Sequence, residues 1–230
     1  NTTHYFAYGD GVASVHESFI GSTRLKEVAV VGSTLKKIKY DGGNLIVYAT
    51  GKWFKTARPY ILDTPDPDGR LFEAQRAIIS YLEKYAERNP EDRVIIKANN
   101  TDFFNSIPFE TNIEVDYASK FIKLLQNARL VILDTPGTTC IEAASLPVPL
   151  FVLSGRVPWF EEPMRMLKKR AVVESKVDNL VTKLEEYETG GFYSADLESR
   201  EFSDSYAGVR DSGEAVDEVM QNLTRITNGH

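Results

Sequence analysis

Residues 129–153, RLVILDTPGTTCIEAASLPVPLFVL, decide the fold of this chain. Two apolar runs, 130–133 and 148–153, are separated by a turn with Pro136 and Gly137 and by a short segment with helical character. Short apolar runs bounded by turn residues are typical of buried strands. The stretch therefore predicts a strand, a turn, a short helix and a second strand.

The same alternation extends outward in both directions. Strands are predicted at 5–8, 27–31, 44–49, 93–98 and 171–174. Helices are predicted at 71–85, then in a segment that carries Phe121, Leu124, Leu125 and Ala128 on one face, and at 163–170, 177–187 and 214–226. Asp116 is predicted to cap the second of these helices. Strands alternating with helices predict an α/β fold: a Rossmann-like parallel sheet with helices on both faces and right-handed crossovers.

A turn at Asp41-Gly42-Gly43 predicts the domain boundary. Residues 1–43 are interpreted as a linker or the end of an N-terminal half, with one or two strands. Residues 44–226 are interpreted as the main domain, with the C-terminal helices included. Because the chain begins at Asn1 without an initiator methionine, we expect a piece of a longer protein or a processed one.

Composition narrows the function classes. The chain has 230 residues, 42% of them hydrophobic, a formal net charge of -6 and a pI of about 5.2. A broad basic surface for nucleic acid is therefore not expected. The single cysteine, Cys140, excludes an intramolecular disulfide and favours a reducing compartment, so we expect a cytoplasmic protein. No apolar run reaches the length of about 18 residues that a membrane span needs.

Three loops follow predicted strands at the edge where parallel sheets bind ligands: 50–53, 97–100 and 134–139. The third offers hydroxyl groups and backbone N–H groups at a helix start, which favour phosphate. Lys52 and Lys97 add positive charge from the other two loops. Glu142 suits sugar hydroxyls better than a phosphate, so a nucleotide joined to another group fits both features.

A purely structural interpretation of the same residues stays open. Thr139-x-x-Glu142 matches a capping box, in which both side chains satisfy N–H groups of the helix and bind no ligand. A metal site is not predicted, because His4 and His16 lack partners at metal spacing. Neither a Walker motif nor Gly-x-Gly-x-x-Gly is present.

Residues 127–150, NARLVILDTPGTTCIEAASLPVPL, resemble the donor-site signature of two-domain GT-B glycosyltransferases. The segments IVYATGKW at 46–53, VIIKAN at 94–99 and FSDSYAG at 202–208 follow the order of landmarks in bacterial surface-polysaccharide transferases and CDP-glycerol glycerophosphotransferases. The resemblance covers about residues 44–226, which would form the C-terminal, donor-binding domain.

The resemblance implies roles for single residues. Thr138 and Thr139 would hold the donor phosphate, and Glu142 would hold the ribose. Asn99 stands where relatives often carry a His-Pro pair, and Asp10 stands where a catalytic histidine is expected. The residues implied in catalysis are Asp10 and Lys97, and those implied in donor binding are Gly51, Lys52, Asn99, Pro136, Gly137, Thr138, Thr139 and Glu142.

The implied function is transfer of a sugar or polyol phosphate to a surface glycan or lipid-linked acceptor in polysaccharide biosynthesis. The donor would be a CMP, CDP or UDP derivative, used without a metal or other cofactor, and no nucleic acid partner is expected. Most of the acceptor domain would lie outside this chain, as would any region for peripheral membrane association. Two alternatives are a nucleotide-sugar 2-epimerase and a domain that binds nucleotide sugars without catalysis.

Overall fold

The computed structural model describes residues 4–32, 39–51, 67–98, 109, 112–155, 159–208 and 214–228. Elements are numbered along the chain over these residues: β1 (His4–Ala7), α1 (Asp10–Glu17), β2 (Glu27–Val30), β3 (Leu45–Ala49), α2 (Pro67–Arg88), β4 (Arg93–Lys97), β5 (Ile113–Asp116), α3 (Phe121–Leu125), β6 (Ala128–Leu133), α4 (Thr138–Ala144), β7 (Leu150–Leu153), α5 (Glu161–Arg170), β8 (Val172–Glu174), α6 (Val177–Glu188), α7 (Glu201–Ala207) and α8 (Glu214–Asn228).

The chain divides into two compact units. Unit 1 combines Asn1–Lys39 with Arg200–His230, and unit 2 is Tyr40–Ser199. Unit 2 therefore corresponds to most of the predicted main domain, while the C-terminal helices belong to unit 1.

Unit 2 is built on a six-stranded, fully parallel sheet with the order β5-β4-β3-β6-β7-β8. From β3 the chain moves outward through β4 to β5, returns beside β3 as β6, and continues in the opposite direction to β8. With right-handed crossovers, this reversal places α2 and α4 on opposite faces of the sheet. The predicted α/β, Rossmann-like class is confirmed.

The core of unit 2 follows from the apolar runs and from one amphipathic helix. All five residues of β3 are buried, as expected for a central strand covered on both faces. On α2, a buried stripe with three-and-four spacing faces the sheet, and α6 packs against α2 with two buried leucines. The stripe and the leucines are Leu71, Ala74, Ile78, Leu82, Tyr85, Leu180 and Leu184.

The structure differs from the sequence prediction at Asp116, at the end of an outer strand of the sheet. The residue ends strand β5, which was not predicted, and α3 begins only at Phe121 after Lys120. The Asp116 carboxylate instead accepts hydrogen bonds from the amides of Ala118 and Ser119, both at 2.8 Å. The predicted helix cap is wrong, because this local Asx turn competes for the same carboxylate.

Unit 1 is centred on the parallel pair β1 and β2, which α1 connects. Gly9 and Gly11 lie so close to Ser205 and Tyr206 of α7 that a Cβ atom at either glycine would collide with them. Phe202 of α7 is buried in the same unit. These long-range contacts explain why residues 200–228 group with the N-terminal segment, whereas the sequence interpretation kept them with residues 44–199. Helices α1 and α7 were not predicted.

Two features are absent from the residues that the structure describes. None of the helices found there is both long enough and apolar enough to cross a membrane. The same residues contain no group of three or more His, Cys, Asp or Glu side chains that could hold a metal ion.

Candidate functional site

The site begins where β3 and β6 end side by side. Ala49 and Leu133 are register partners at the ends of these strands, and residues 50–51 and 134–137 follow them. The strand order reverses between β3 and β6. In open parallel sheets, ligands bind in the crevice outside the carboxyl ends of the strands at this reversal. Residues 50–51 and 134–137 are therefore the candidate ligand-binding loops of unit 2.

A buried carboxylate joins the two loops. Asp134 has no solvent exposure, and its Oδ2 accepts hydrogen bonds from the Tyr48 hydroxyl at 2.7 Å and from Gln75 Nε2 at 2.9 Å. Its Oδ1 accepts the backbone N–H of Gly51 at 2.5 Å. Burial raises the pKa of the Asp134 carboxyl above its ordinary value, although the hydrogen bonds from Tyr48 and Gln75 act in the opposite direction.

Gly51 lies at the predicted edge, but it is buried. Its N–H is donated to Asp134, and its carbonyl oxygen accepts a hydrogen bond from Gln75 Nε2 at 3.3 Å. A Cβ atom at this position would collide with the side chains of Thr135 and Asp134. The glycine thus permits close packing of the two loops, and its amide hydrogen is used within the protein.

Helix α4 starts at Thr138, with Gly137 in extended conformation as the N-cap and no side-chain capping bond. The capping-box interpretation is therefore wrong, because Thr139 lies inside the helix and not at the N-cap. Thr138 is exposed, Thr139 and Glu142 are half-buried, and no hydrogen bond to the Glu142 carboxylate is found among the described residues. Burial raises the pKa of Glu142 above its ordinary value.

Lys97 lies at the end of β4, the strand next to β3. Its side chain is 13% exposed, and its Nζ contacts Asp116 on β5, with 3.3 Å to the carbonyl oxygen and 4.0 Å to Oδ1. The ammonium group therefore points to the side of β4 away from β3. For Asp116, the hydrogen bonds from Ser119 and Ala118 and the charge of Lys97 outweigh a raising effect of burial, so its pKa is lowered.

The remaining predicted residues fall in different places. Pro136 lies in the turn before α4, between the Asp134 network and Gly137. Asp10 is exposed as the first residue of α1 in unit 1, whereas the other described candidates are in unit 2. Lys52 and Asn99 lie outside the described residues. Within unit 2, the structure thus brings together Gly51, Pro136, Gly137, Thr138, Thr139 and Glu142 around the ends of β3 and β6.

A cavity of about 330 Å³ opens at the same edge, between the starts of α2 and α6. Its lining includes the buried residues Asp134, Leu71 and Leu153. Two cations and two carboxylates also line it: Arg70, Lys176, Glu73 and Asp178. Its described lining contains no residue from 136–142. This cavity therefore opens on the α2 face of the sheet.

Sequence reasoning missed the network around Asp134. Tyr48 and Gln75 look like ordinary members of a strand and a helix, and only the fold brings them to one carboxylate. The available signal was the aspartate that directly follows the apolar run 130–133. A residue at this position lies where a buried strand ends and its loop begins.

No family model matches the chain, and no curated protein matches it either. Solved structures do. The S. aureus MnaA–UDP co-structure has a TM-score of 0.61 at 14% identity and aligns with 99% of this chain and 61% of its own. The pneumococcal O-GlcNAc transferase GtfA in complex with UDP and GlcNAc has a TM-score of 0.57 at 12% identity, with coverages of 98% and 46%.

A third match is the Methanocaldococcus jannaschii UDP-GlcNAc 2-epimerase in complex with UDP-GlcNAc and UDP, with a TM-score of 0.57 at 16% identity. It covers 96% of this chain and 61% of the epimerase. The chain thus spans less than two thirds of each of these three proteins. At such identities the likeness concerns the fold. The chain has the GT-B-like fold that glycosyltransferases share with UDP-GlcNAc 2-epimerases, and its parallel sheet is consistent with a C-terminal domain of that fold.

Proposed function

We propose that unit 2 binds a nucleotide-activated sugar and serves as the donor-binding domain of a glycosyltransferase. The observation that carries the proposal is the reversal of strand order between β3 and β6, with polar loops at the carboxyl ends of both strands. Proteins with the same fold have been crystallised with UDP, UDP-GlcNAc and GlcNAc. A donor of the UDP type therefore has the best support, with CMP and CDP donors as the carriers to compare.

In this proposal the donor lies across the start of α4. The hydroxyls of Thr138 and Thr139 and the exposed backbone of Gly137 would contact its phosphates. The carboxylate of Glu142, half-buried and without a hydrogen bond among the described residues, would accept the ribose hydroxyls. Burial disfavours the charged form of this carboxylate, so hydroxyl donors from a ligand are well suited to stabilise it.

The chemistry proposed for the transfer is stabilisation of the departing phosphate by fixed hydrogen-bond donors as negative charge develops. The base that activates the acceptor would come from residues outside unit 2. Asp10 remains a catalytic candidate on the sequence resemblance alone. Lys97 would act only through its charge at a distance, because its ammonium contacts Asp116 on the side of β4 away from β3. The acceptor, a surface glycan or a lipid-linked saccharide, and a place in polysaccharide biosynthesis belong to the proposal as well.

The alternative enzyme, a nucleotide-sugar 2-epimerase, is favoured by the fold comparisons to the same degree. Both activities need the same donor site, and they differ in what happens to the glycosidic bond. A transferase releases a nucleotide and glycosylates an acceptor, whereas an epimerase inverts a carbon of the sugar. A domain that binds nucleotide sugars without catalysis would do neither.

Isothermal titration of the chain with UDP, UDP-GlcNAc, CDP, CMP and GDP tests the binding site. We expect binding in the micromolar to millimolar range, with a pyrimidine nucleotide bound more tightly than GDP. A folded sample that binds none of them at millimolar concentration would refute the proposal. An assay of the full-length protein with UDP-GlcNAc would then separate nucleotide release from 2-epimer formation.

A further inference from the structure

Two buried aspartates lie in the same sheet, one before the amino end of a strand and one after the carboxyl end of another. Asp134 follows β6 at the carboxyl edge, where the candidate site lies. Asp92 directly precedes β4 at the amino edge and is 3% exposed. It accepts hydrogen bonds from the hydroxyl of Tyr85 and, at 2.9 Å, from Arg129 Nη1. The two carboxylates can be compared, because both are buried but only Asp134 lies at the candidate site.

The partners of the two aspartates differ in kind. Asp92 is paired with a cation, so its charge is compensated within the amino edge. The groups that donate to Asp134 are uncharged: the hydroxyl of Tyr48, the side-chain amide of Gln75 and the backbone N–H of Gly51. Gln75 also donates to the carbonyl of Gly51, so both backbone polar groups of that glycine are held by one network.

This network has a direct consequence for the ligand crevice. Gly51 ends the described part of the loop after β3, and Asp134 starts the turn that leads to α4. Tyr48 and Gln75 connect the same carboxylate to β3 and to α2. Two loops that would otherwise move separately are thereby held at a fixed distance. A preformed site avoids the entropy cost of ordering loops when the ligand binds.

We propose that Asp134 is a positioning residue, which holds Gly51 against the 134–137 turn and so keeps the crevice between β3 and β6 formed before the ligand arrives. The proposal rests on the proposed function for the nature of the ligand, a nucleotide sugar. The hydrogen bond from the Gly51 amide to Asp134 does not depend on the ligand, so it can be tested without one.

The first measurement is amide hydrogen exchange of Gly51 by NMR on the 15N-labelled chain. We expect the wild-type amide to be protected, and we expect Gln75→Met and Asp134→Asn to reduce its protection by about tenfold. Gln75→Met removes the donor shared by Asp134 and the Gly51 carbonyl. Asp134→Asn leaves one acceptor oxygen where the network uses two.

The second measurement is nucleotide affinity at a temperature at which all variants are folded. Gln75→Met and Asp134→Asn should weaken UDP binding about five- to tenfold. The matched controls Tyr85→Phe and Asp92→Asn change the buried network at the other edge. They should lower the melting temperature but leave both UDP affinity and the local protection of Gly51 unchanged.

The results separate the two proposals. A wild-type Gly51 amide that exchanges as fast as an unprotected one overturns the positioning role, and so do variants at 134 and 75 that affect affinity no more than the controls. If the wild type shows a protected, Asp134-dependent Gly51 amide but binds no nucleotide, the positioning role stands and the proposed function is wrong.

Discussion

Glu142 carries a carboxylate that is half-buried on α4, where no hydrogen bond to it is found among the described residues. Thr138 lies one turn earlier, exposed at the start of the same helix. In a helix, residues three or four apart share one face, so a ligand at this end of α4 can contact both side chains. The pair therefore forms the sharpest residue-level test of the donor site.

We expect Glu142→Gln and Thr138→Val each to weaken nucleotide binding about tenfold, because each loses one hydrogen bond to the ribose or the phosphate. Isothermal titration with UDP measures the effect. The matched controls are Glu185→Gln and Thr182→Val, exposed positions on α6, which should bind UDP like the wild type. Equal affinities in all four variants would contradict the assigned donor site.

Asp134 has a measurable signature in the pH dependence of stability. Its pKa in the folded protein lies above the ordinary value, so between the two values the folded state binds more protons than the unfolded state. The contribution of this group to stability therefore increases as the pH falls through that window and decreases as the pH rises. Urea unfolding between pH 4 and 7 should show the wild type gaining stability relative to Asp134→Asn as the pH falls. An unchanged difference would indicate an unperturbed carboxyl.

At the scale of elements, the loops after β3 and β6 differ in how tightly their glycines are packed. Gly51 has no room for a Cβ atom, because the side chains of Thr135 and Asp134 occupy that space. Gly137 is exposed, and a Cβ atom there would meet no other atom within 4 Å. Both glycines lie in the candidate ligand-binding loops, but only Gly51 is tightly packed.

We therefore expect Gly51→Ala to lower the free energy of unfolding by about 1–3 kcal/mol through overpacking. It should also weaken UDP binding, because it displaces the turn after β6. Gly137→Ala should change stability by no more than about 0.5 kcal/mol. Urea denaturation of both variants checks the difference. A Gly51→Ala protein as stable as Gly137→Ala would show that the loops are not tightly packed.

At the scale of the whole molecule, the chain contains an α/β unit with a six-stranded parallel sheet and a smaller unit made from both ends of the sequence. The described candidates for donor binding all lie in unit 2, and Asp10 lies in unit 1. Unit 2 also contains its own hydrophobic core, built from β3, β4, β6 and the helices α2 and α6. Donor binding and any catalytic role of Asp10 are thus separable.

A protein reduced to Tyr40–Ser199 should consequently fold and bind UDP within about threefold of the full chain. Circular dichroism and titration calorimetry check both parts of this expectation. Asp10→Asn in the full chain should leave UDP affinity unchanged even where it reduces transfer activity. A folded unit 2 that does not bind UDP would contradict the assignment of the donor site to unit 2.

The α/β class and the central strands could be predicted because they depend on local patterns. Apolar runs, helical spacing and turn residues can be recognised within windows of a few residues, and residues 129–153 contain all three. The strand β5 and the helices α1 and α7 escaped prediction because they are short, and long-range contacts decide their structure. The cap predicted at Asp116 failed for a local reason, a competing turn.

The sequence by itself determined that alternating strands and helices form a parallel sheet, and that polar loops follow its buried strands. Only the tertiary structure decided that β3 and β6 are neighbours, that Asp134 binds Tyr48, Gln75 and Gly51, and that residues 200–228 join the N-terminal segment. Hydrophobic periodicity records which face of an element is buried. It does not record which distant element covers that face, because this choice depends on the packing of the whole chain.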